Sequence, residues 1–483
     1  MTGAAGAASA RSEQDLAQRL ATLVQIATVS PPDDGPLVPQ VAATFAALQQ
    51  QLREFYPLLF AQARFETVGR AGLLGHLAGG GGEQAGDAVV LMAHQDVVPA
   101  PTGEGDDGDS TGSWKSAGWS HAPFAGVVAQ GTDGLTVYGR GTLDDKGSLL
   151  VVCEAVEAAL AHGWAPQRDI YFLFGADEEA EGPSAVAAVE VLKERGVTPW
   201  LVLDEGGAVV SGAIPGMRRG MAAIGVAEKG VVSLEVLAQA DPTKPAHAST
   251  PPRHSAVATL ARALVALERH PHPAEVDDVT VAMLEAVAPH VRPPLRSVLS
   301  RADRLRRPLA RVVPRLGAEM AAMVRTTMAL TQLHGSSAPN VIASSARGVV
   351  NMRVATTSSV AQAVAHVEQV VSRAVGKTSG IKVSVRVLAA TEPTRSSPTG
   401  EERWALLTEA LSVAYPDAVA VPYTMLAASD SRHIAPIAQA VYRFSPLAMS
   451  SAQRASIHGV DEHVSAASLA AGVRFYATLL ERF

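Results

Sequence analysis

Three apolar runs in the first half of the chain end in polar or charged residues. They are "DAVVLMAH" (87–94), "DIYFLFGADEE" (169–179) and "TPWLVLDEGG" (198–207). Uninterrupted apolar runs, as opposed to alternating ones, are typical of strands covered on both faces. Helix-like segments at 146–163 and 183–196 lie between them. The alternation predicts an α/β domain in which a mixed, mostly parallel sheet is flanked by helices.

The polar ends of these runs are where a ligand site is expected. In open α/β sheets, ligands bind in the crevice beyond the carboxyl ends of the strands. The first run ends at His94, the second at Glu178 and Glu179, and the third at Asp204. We therefore expect these side chains to converge at one edge of the sheet.

The pattern of the sequence changes after Asp204. "GVVSLEVLAQA" (230–240) predicts a strand and 254–268 a helix, and 348–390 continues as strand, helix and strand. This predicts a separate α+β domain inserted into the first. The predicted division is 1–228 for the first part of the catalytic domain, 229–391 for the insertion, and 392–483 for the second part of the catalytic domain.

Composition and charge narrow the class of protein. The chain has 483 residues, which is too long for one hydrophobic core and fits two domains. With 47% hydrophobic and 18% charged residues it is typical of a soluble globular protein. A net charge of -7 gives no overall field that would recruit nucleic acid, and nucleic acid is not an expected partner.

Two features bear on the cellular compartment. Cys153 is the single cysteine, so no disulfide can form within the chain, and a reducing compartment is expected. The first twenty residues lack a basic flank followed by an apolar segment, and no later stretch is long enough for an integral membrane segment. The sequence therefore predicts a cytoplasmic protein.

Residues 292–315 carry eight arginines among leucines and valines. Two interpretations remain open: the solvated face of an amphipathic helix, or a surface for anionic lipid or acidic groups. No catalytic chemistry is assigned to this stretch.

Several short motifs carry the candidate chemistry. His94 and Asp96 form a His-x-Asp triple, which alone is weak evidence. "YGRGTLDDKGS" (138–148) places two aspartates ahead of a helix, where they could also act as helix caps. "GADEEAEG" (175–182) crowds carboxylates, which repel unless cations or water relieve them. "IHGVDEH" (457–463) adds a histidine, and the set together favours a metal site.

The order of these motifs resembles that of a known family. His-x-Asp, G-R-G-x-x-D-x-K-G, D-E-E, L-D-E-G-G and H-G-x-x-E follow one another along the chain. They resemble the zinc-dependent metallopeptidases of the aminoacylase, carboxypeptidase S and ArgE/DapE family. "MAHQDVVPA" and "VRTTMALTQLHGSSAPNVIA" (324–343) are most similar to the branch with carboxypeptidase S, Gly-Xaa carboxypeptidase and N-acyl-amino-acid hydrolases.

The resemblance implies two Zn2+ ions per chain, or Co2+ or Mn2+ in their place. It assigns Asp144 as the bridging ligand, His94 and Asp204 to one ion, and Glu179 and His458 to the other. These are nitrogen and oxygen donors without thiolate, as in catalytic zinc sites.

The resemblance also assigns roles around the metals. Glu178 is the expected general base, and Asp96 is expected to orient the imidazole of His94. The peptide bond between Asp144 and Asp145 is expected to be cis, an arrangement that aims the bridging carboxylate of Asp144, and Asp145 is expected to lie just outside the metal ligands.

Three further residues are expected to contact substrate. His247 matches the histidine that the inserted domain supplies to the oxyanion, across a dimer interface in dimeric members. Arg432 resembles the arginine that binds the substrate carboxylate, and Asn340 would assist near the oxyanion or the carboxylate. The relatives usually carry Gly-Gly-Thr where this chain has Ala427–Ser429, so the pocket is expected to differ in shape.

The sequence thus predicts a hydrolase that cleaves an amide bond next to a free carboxylate. Small peptides and N-acyl amino acids are the expected substrates, and the inserted α+β lid/dimerisation domain implies a homodimer. The alternative is a non-catalytic metal-binding or assembly protein on the same scaffold.

Overall fold

The structure is a computed structural model that describes residues 11–32, 35–80, 88–103, 113–212, 217, 219–241, 243, 247–376 and 380–483. Its helices are α1 Glu13–Val24, α2 Pro39–Phe55, α3 Pro57–Gln62, α4 Lys146–Ala161, α5 Ser184–Glu194, α6 Ala256–Arg269, α7 Asp278–Val287, α8 Leu295–Leu299, α9 Arg306–Val312, α10 Ala318–Met323, α11 Val360–Val375, α12 Glu402–Ala414, α13 Ser431–Ile434, α14 Ser451–Ser456 and α15 Ala466–Leu480. Its strands are β1 Arg64–Val68, β2 Gly72–Leu77, β3 Val89–His94, β4 Val127–Gly131, β5 Gly134–Tyr138, β6 Ile170–Gly175, β7 Leu201–Asp204, β8 Val209–Val210, β9 Gly220–Glu228, β10 Gly230–Ala240, β11 Thr327–His334, β12 Ser345–Val354, β13 Ile381–Thr391, β14 Ala418–Met425, β15 Val441–Arg443, β16 Ala448–Met449 and β17 His463–Ser465.

The largest sheet has ten strands in the order β1-β2-β6-β3-β7-β15-β9-β8-β16, with β14 paired to β9. Its centre is parallel: β3 runs parallel to β6 and β7, and β15 runs parallel to β7. Antiparallel β1 and β2 close one side. This confirms the predicted mixed, mostly parallel sheet flanked by helices.

The continuous apolar runs form strands that are covered on both faces, as predicted. In β3, Val89 and Leu91 pack into the core beneath α1, α4 and α15, whereas Val90 and Met92 pack into the core beneath α5. A strand buried on both faces needs apolar residues at successive positions, because neighbouring side chains point to opposite faces. Each face of the sheet therefore carries its own layer of helices.

A second sheet has four antiparallel strands in the order β11-β12-β10-β13. The helices α6 and α11 cover one face and form a separate core with it. On β13, Ile381, Val383 and Val385 pack towards this core, whereas the intervening Lys382 and Ser384 are exposed. The alternating pattern follows because only one face of this sheet is covered.

The chain passes between the two sheets at two adjacent points. It leaves at Glu228, the last residue of β9, and returns after Thr391 at the end of β13. The two crossings are hydrogen-bonded: the backbone N–H of Glu228 donates to Thr394 Oγ1 (2.8 Å) and that of Thr394 donates to the Glu228 carbonyl (3.0 Å). Glu228 thus lies where the two sheets are joined.

The stretch with eight arginines is not one continuous helix. It contains α8 and α9, with one short 3-10 turn between them and another after α9. Pro293, Pro294, Pro308 and Pro314 lack the backbone N–H that a continuous helix needs. Together with α7, this stretch packs on β14 of the large sheet and forms a core that includes Val421.

Two other predictions concern burial and membranes. Cys153 is buried within α4 and has a free thiol, as expected for a packing residue. No helix in the described part of the chain is long and apolar enough to cross a membrane.

Candidate metal centre

The centre is built on the carboxyl ends of three adjacent strands. His94 is the last residue of β3, Asp204 is the last residue of β7, and Glu178 and Glu179 form a short 3-10 turn after β6. Because these strands are parallel neighbours, their carboxyl ends lie at the same edge. Strand order alone therefore brings these residues, which are far apart in the sequence, to one crevice.

Asp144 occupies the middle of the cluster. His94, Asp144 and Glu179 each offer a ligand atom within 4.8 Å of the other two. One oxygen of Asp144 lies 2.9 Å from His94 Nε2, and the other lies 3.0 Å from His458 Nε2. His458 Nε2 also lies 3.0 Å from Glu179 Oε1. The two oxygens of the Asp144 carboxylate thus face two different imidazoles.

His458 lies in the loop after α14 and has a strained backbone conformation. Its φ of 59° lies in the left-handed region, which non-glycine residues seldom adopt and which clusters at functional sites. Two hydrogen bonds raise the pKa of His458 to about 10. The hydrogen bond to Asp144 is the larger cause and the one to Glu179 follows it. Two carboxylates therefore favour a positive charge at the position of this imidazole.

Asp96 fixes the orientation of the cluster. His94 Nδ1 lies 3.0 Å from the carbonyl oxygen of Asp96 and 3.3 Å from its Oδ1. The carboxylate of Asp96 also accepts hydrogen bonds from the backbone N–H groups of Glu178 (3.3 Å) and Glu179 (3.1 Å). One buried carboxylate thus ties the end of β3 to the turn after β6.

Asp145 lies directly behind the central carboxylate. The peptide bond between Asp144 and Asp145 is cis, as predicted. The side chain of Asp145 is fully buried, and its Oδ2 accepts a hydrogen bond of 3.1 Å from the backbone N–H of His94. Asp145 therefore links the loop before α4 to the end of β3.

Asp204 is only 2% exposed, and its Oδ2 accepts a hydrogen bond of 2.9 Å from the backbone N–H of Ser431. Glu205, the next residue, is close enough to both Asp204 and Asp144 for their charges to raise its pKa. Burial raises the pKa of Glu205 well above its usual value, and the charges of Asp144 and Asp204 raise it further.

The cluster fits divalent cations. Burial raises the pKa of Glu178 well above its usual value, and burial followed by the charge of Asp204 raises that of Asp430 to about 8. Burial is the largest cause of both shifts and neighbouring carboxylates add to it, so bound cations would favour the charged forms of these groups. The donors are imidazole nitrogens and carboxylate oxygens, which suit Zn2+, Co2+ or Mn2+.

Glu462 holds the two loops of the centre together, and sequence reasoning gave it no role. Its side chain is fully buried. It accepts hydrogen bonds from Arg140 Nη1 (2.6 Å) and from the backbone N–H groups of Gly141 (3.0 Å), Leu143 (2.8 Å) and Asp144 (3.1 Å). Arg140 Nη2 in turn donates to the carbonyl of Gly459, next to His458 (2.8 Å). The glutamate of H-G-x-x-E was the available signal.

Lys146 was also missed, although it is the lysine of D-x-K-G. It is fully buried, and its ammonium donates to the carbonyls of Leu23 (3.0 Å) and Ile26 (2.6 Å) at the end of α1. Burial lowers the pKa of Lys146 to about 7. Lys146 thus supplies hydrogen-bond donors to carbonyls at the end of α1 and ties this helix to the loop that carries Asp144.

A second buried network supports Asp204. Glu228 and Arg443 form an ion pair of 2.9 Å with both side chains almost fully buried. The carboxylate of Glu228 accepts hydrogen bonds from the N–H and hydroxyl of Ser429, both 3.2 Å. The hydroxyl of Ser429 lies 2.7 Å from that of Ser431, whose N–H binds Asp204. No motif marked Glu228 or Arg443, because their partners are distant in the sequence.

The protein residues that are expected to contact substrate lie in two places. Arg432 is in α13, 9% exposed, immediately after Ser431, and its Nε donates to His433 Nε2 (3.2 Å). His247 and Asn340 lie on neighbouring loops of the four-stranded sheet, where Ala248 N–H donates to the Asn340 carbonyl (3.1 Å). Both are exposed, and in the described part of the chain neither side chain contacts the metal cluster.

A mostly parallel sheet with imidazole and carboxylate donors at its carboxyl edge defines an α/β metallohydrolase. Residues 90–482 match Peptidase family M20/M25/M40, and the chain belongs to this family. The protein is therefore a peptidase or amidohydrolase of a family that uses divalent metal.

Named relatives fall into two groups. The chain is 31% identical over 400 residues to the human N-fatty-acyl-amino acid synthase/hydrolase, covering 81% of this chain and 73% of the relative. It is 28% identical over 473 residues to a probable carboxypeptidase S-like protein of Dictyostelium discoideum, covering 97% and 85%. These relatives confirm the predicted family resemblance.

Solved structures share the fold. The M20 family metallo-carboxypeptidase Sso-CP2 from Sulfolobus solfataricus superimposes with a TM-score of 0.65 at 14% identity, covering 97% of this chain and 98% of that one. Human carnosine dipeptidase 1 gives a TM-score of 0.61 at 18% identity, covering 97% and 95%. At these identities the likeness concerns the fold alone.

Proposed function

We propose that the protein is a di-metal hydrolase that cleaves an amide bond beside a free carboxylate in small peptides or N-acyl amino acids. The observation that carries the proposal is the carboxylate of Asp144 between His94 and His458, with Glu178 in the adjoining turn. Both named groups of relatives, the N-fatty-acyl-amino acid hydrolases and the carboxypeptidases, fit a substrate of this class.

Five side chains would hold the metals. His94 and Asp204 would bind one ion, Glu179 and His458 the other, and Asp144 both; Zn2+ is the first choice, with Co2+ or Mn2+ in its place. When bound, the ions supply positive charge that lowers the pKa of a water molecule and polarises the amide carbonyl. Asp96 keeps the Nε2 of His94 directed at this position through its contacts with Nδ1.

Glu178 moves the proton. Its carboxylate takes a proton from the attacking water and returns it to the nitrogen of the leaving amine. Burial raises the pKa of Glu178, which makes its carboxylate a stronger base towards the attacking water. The hydrogen bond from its backbone N–H to Asp96 fixes the turn while leaving the side chain free to act.

Arg432 would bind the free carboxylate of the substrate. Its planar guanidinium suits bidentate binding of a carboxylate. Ser431, whose N–H binds Asp204, precedes it directly, so the position of the arginine is tied to that of a metal ligand. The distance between the scissile amide and the carboxylate would thereby be set by the protein.

His247 and Asn340 would act from a second copy of the chain. They are exposed on neighbouring loops, and the edge strand β11 beside them is exposed from Ala329 to His334, with Leu333 64% exposed. An open edge strand with an exposed apolar residue is suited to pairing with another chain. We infer a homodimer in which His247 of one chain serves the oxyanion in the site of the other.

The free-carboxylate requirement is tested with matched substrates. We expect an N-acyl amino acid to be hydrolysed efficiently and its methyl ester or amide poorly, because only the acid can pair with Arg432. Arg432→Lys should lower kcat/KM for the acid by about 10–100-fold, the loss expected for a charged hydrogen bond, and leave the poor rate on the ester unchanged. Arg454→Lys, at an exposed arginine outside the site, is the control.

Equal losses on acid and ester would contradict the role of Arg432. If no amide of either class is hydrolysed after reconstitution with zinc, cobalt or manganese, the proposed function itself is wrong.

The dimer is tested by mixing two inactive variants. Glu178→Gln and His247→Ala chains, unfolded together and refolded, should recover roughly a quarter of wild-type activity, because half of the dimers then carry one complete site. Activity in the mixture no higher than in the separate variants, or a monomeric mass in solution, would contradict a site shared between two chains.

A further inference from the structure

The arginine stretch forms an exposed surface of high positive charge. Of its eight arginines, seven are exposed, and we call them the arginine surface: Arg292, Arg296, Arg301, Arg304, Arg307, Arg311 and Arg315. The eighth, Arg306, is paired with Asp278 (2.6 Å) and Asp303 (2.8 Å). Asp303 is the only acidic residue within 292–315. The surface is therefore strongly basic on a protein whose net charge is -7.

Apolar side chains are exposed among these arginines. Leu295 and Val298 are each 39% exposed, Val312 is 52% exposed and Leu316 is 65% exposed. Exposed large apolar residues are ordinary when scattered singly, but here they alternate with cations within some twenty residues. The surface combines the two components that bind amphipathic segments to lipid interfaces.

The packing beneath the surface holds it facing outward. Leu299, Ala302 and Val313 are buried in the core formed with α7 and β14, and these contacts fix the opposite side of α8 and α9 towards solvent. Burial is the main cause that lowers the pKa of the nearby His290, and the positive charges of Arg219 and Arg296 lower it further. In the described part of the chain, the seven arginines of the surface have no carboxylate partner.

We propose that the arginine surface binds the face of an anionic phospholipid bilayer, with the arginines on the phosphates and Leu295, Val298, Val312 and Leu316 entering the headgroup region. Nucleic acid shares the phosphate chemistry, but a lipid interface alone accommodates aliphatic side chains among the cations. Residues 292–316 contain no aromatic side chain on which bases could stack. The proposal does not depend on the proposed reaction.

The test is co-sedimentation of the full-length protein with vesicles. We expect binding to phosphatidylcholine vesicles that contain phosphatidylglycerol and little binding to phosphatidylcholine alone, with affinity falling as salt is added. The variant Arg296→Gln/Arg304→Gln/Arg311→Gln should bind the anionic vesicles about 100-fold more weakly, at roughly a factor of five per arginine.

Two matched variants separate the parts of the proposal. Arg253→Gln/Arg269→Gln/Arg373→Gln removes the same charge from exposed arginines elsewhere in the chain and should leave vesicle binding unchanged. Val312→Ser/Leu316→Ser should weaken binding while retaining its salt dependence. Unchanged amide hydrolysis of a soluble substrate would show that each variant is folded.

Three outcomes would overturn the proposal. They are equal binding to neutral and anionic vesicles, an equal loss in the control variant, and tighter binding to duplex DNA than to anionic vesicles at the same salt concentration. The last would assign the surface to nucleic acid instead.

Discussion

Replacing Glu178 with Gln should lower kcat for amide hydrolysis by about 10²–10⁴-fold, the usual contribution of general acid–base catalysis, while the protein keeps its metal. Gln has nearly the shape of Glu but cannot take a proton from water. The turn itself should persist, since the backbone N–H groups of residues 178 and 179, and not their side chains, bind Asp96. Steady-state kinetics and elemental analysis of the same preparation test both parts.

The matched control is Glu181→Gln. Glu181 is exposed and lies three residues further along the same acidic loop. Its side chain makes none of the described hydrogen bonds, and only its backbone N–H contacts Glu178, at 2.9 Å from the carbonyl oxygen. The Glu181→Gln variant should hydrolyse substrate at the wild-type rate. If the Glu178 variant loses metal, Glu178 is a ligand and not the base; if it keeps full activity, another group moves the proton.

Replacing Glu462 with Ala should lower the free energy of unfolding by about 3–5 kcal/mol, because the change leaves the buried guanidinium of Arg140 without its partner. It should also lower metal affinity, since the same carboxylate binds the N–H of Asp144 and Arg140 holds the carbonyl beside His458. Urea unfolding and metal titration measure the two effects separately.

The double variant Arg140→Leu/Glu462→Leu distinguishes stability from positioning. Two apolar residues replace the buried pair without leaving a lone charge, so much of the unfolding free energy should return. Metal affinity should remain low, because no acceptor then holds the loop at Asp144. A loss below 1 kcal/mol in the single variant, with unchanged metal affinity, would show that Glu462 has no such role.

Local pattern predicted the elements that carry most of the centre. Continuous apolar runs identified β3, β6 and β7, and each contributed residues at its carboxyl end, because a buried strand and the loop after it are encoded in adjacent residues. Local pattern also predicted α4, because the glycine-flanked motif marks its start after Asp145.

Interactions between distant residues were not predictable. The pairing of Glu228 with Arg443 joins positions 215 residues apart, and neither residue lies in a motif. In the sequence, Arg443 follows a short apolar stretch and looks like a surface cation, yet it is fully buried. The path from this pair through Ser429 and Ser431 to Asp204 exists only once three strands have been assembled.

Proline also altered one prediction. Leucine and valine spacing in 292–315 agrees with an amphipathic helix, but four prolines remove backbone donors, and the stretch folds into short helices and turns. The apolar residues then separate into buried and exposed groups that helical periodicity alone does not distinguish.

The position of β15 within the large sheet determines when the sheet can be completed during synthesis. This three-residue strand, Val441–Arg443, sits between β7 and β9, so the halves of the sheet on either side of it have no direct contact through strand pairing. During synthesis, the sheet cannot close until residue 443 has left the ribosome. Nascent chains stopped short of that point therefore leave the edges of β7 and β9 that face β15 unpaired, and unpaired strand edges favour aggregation.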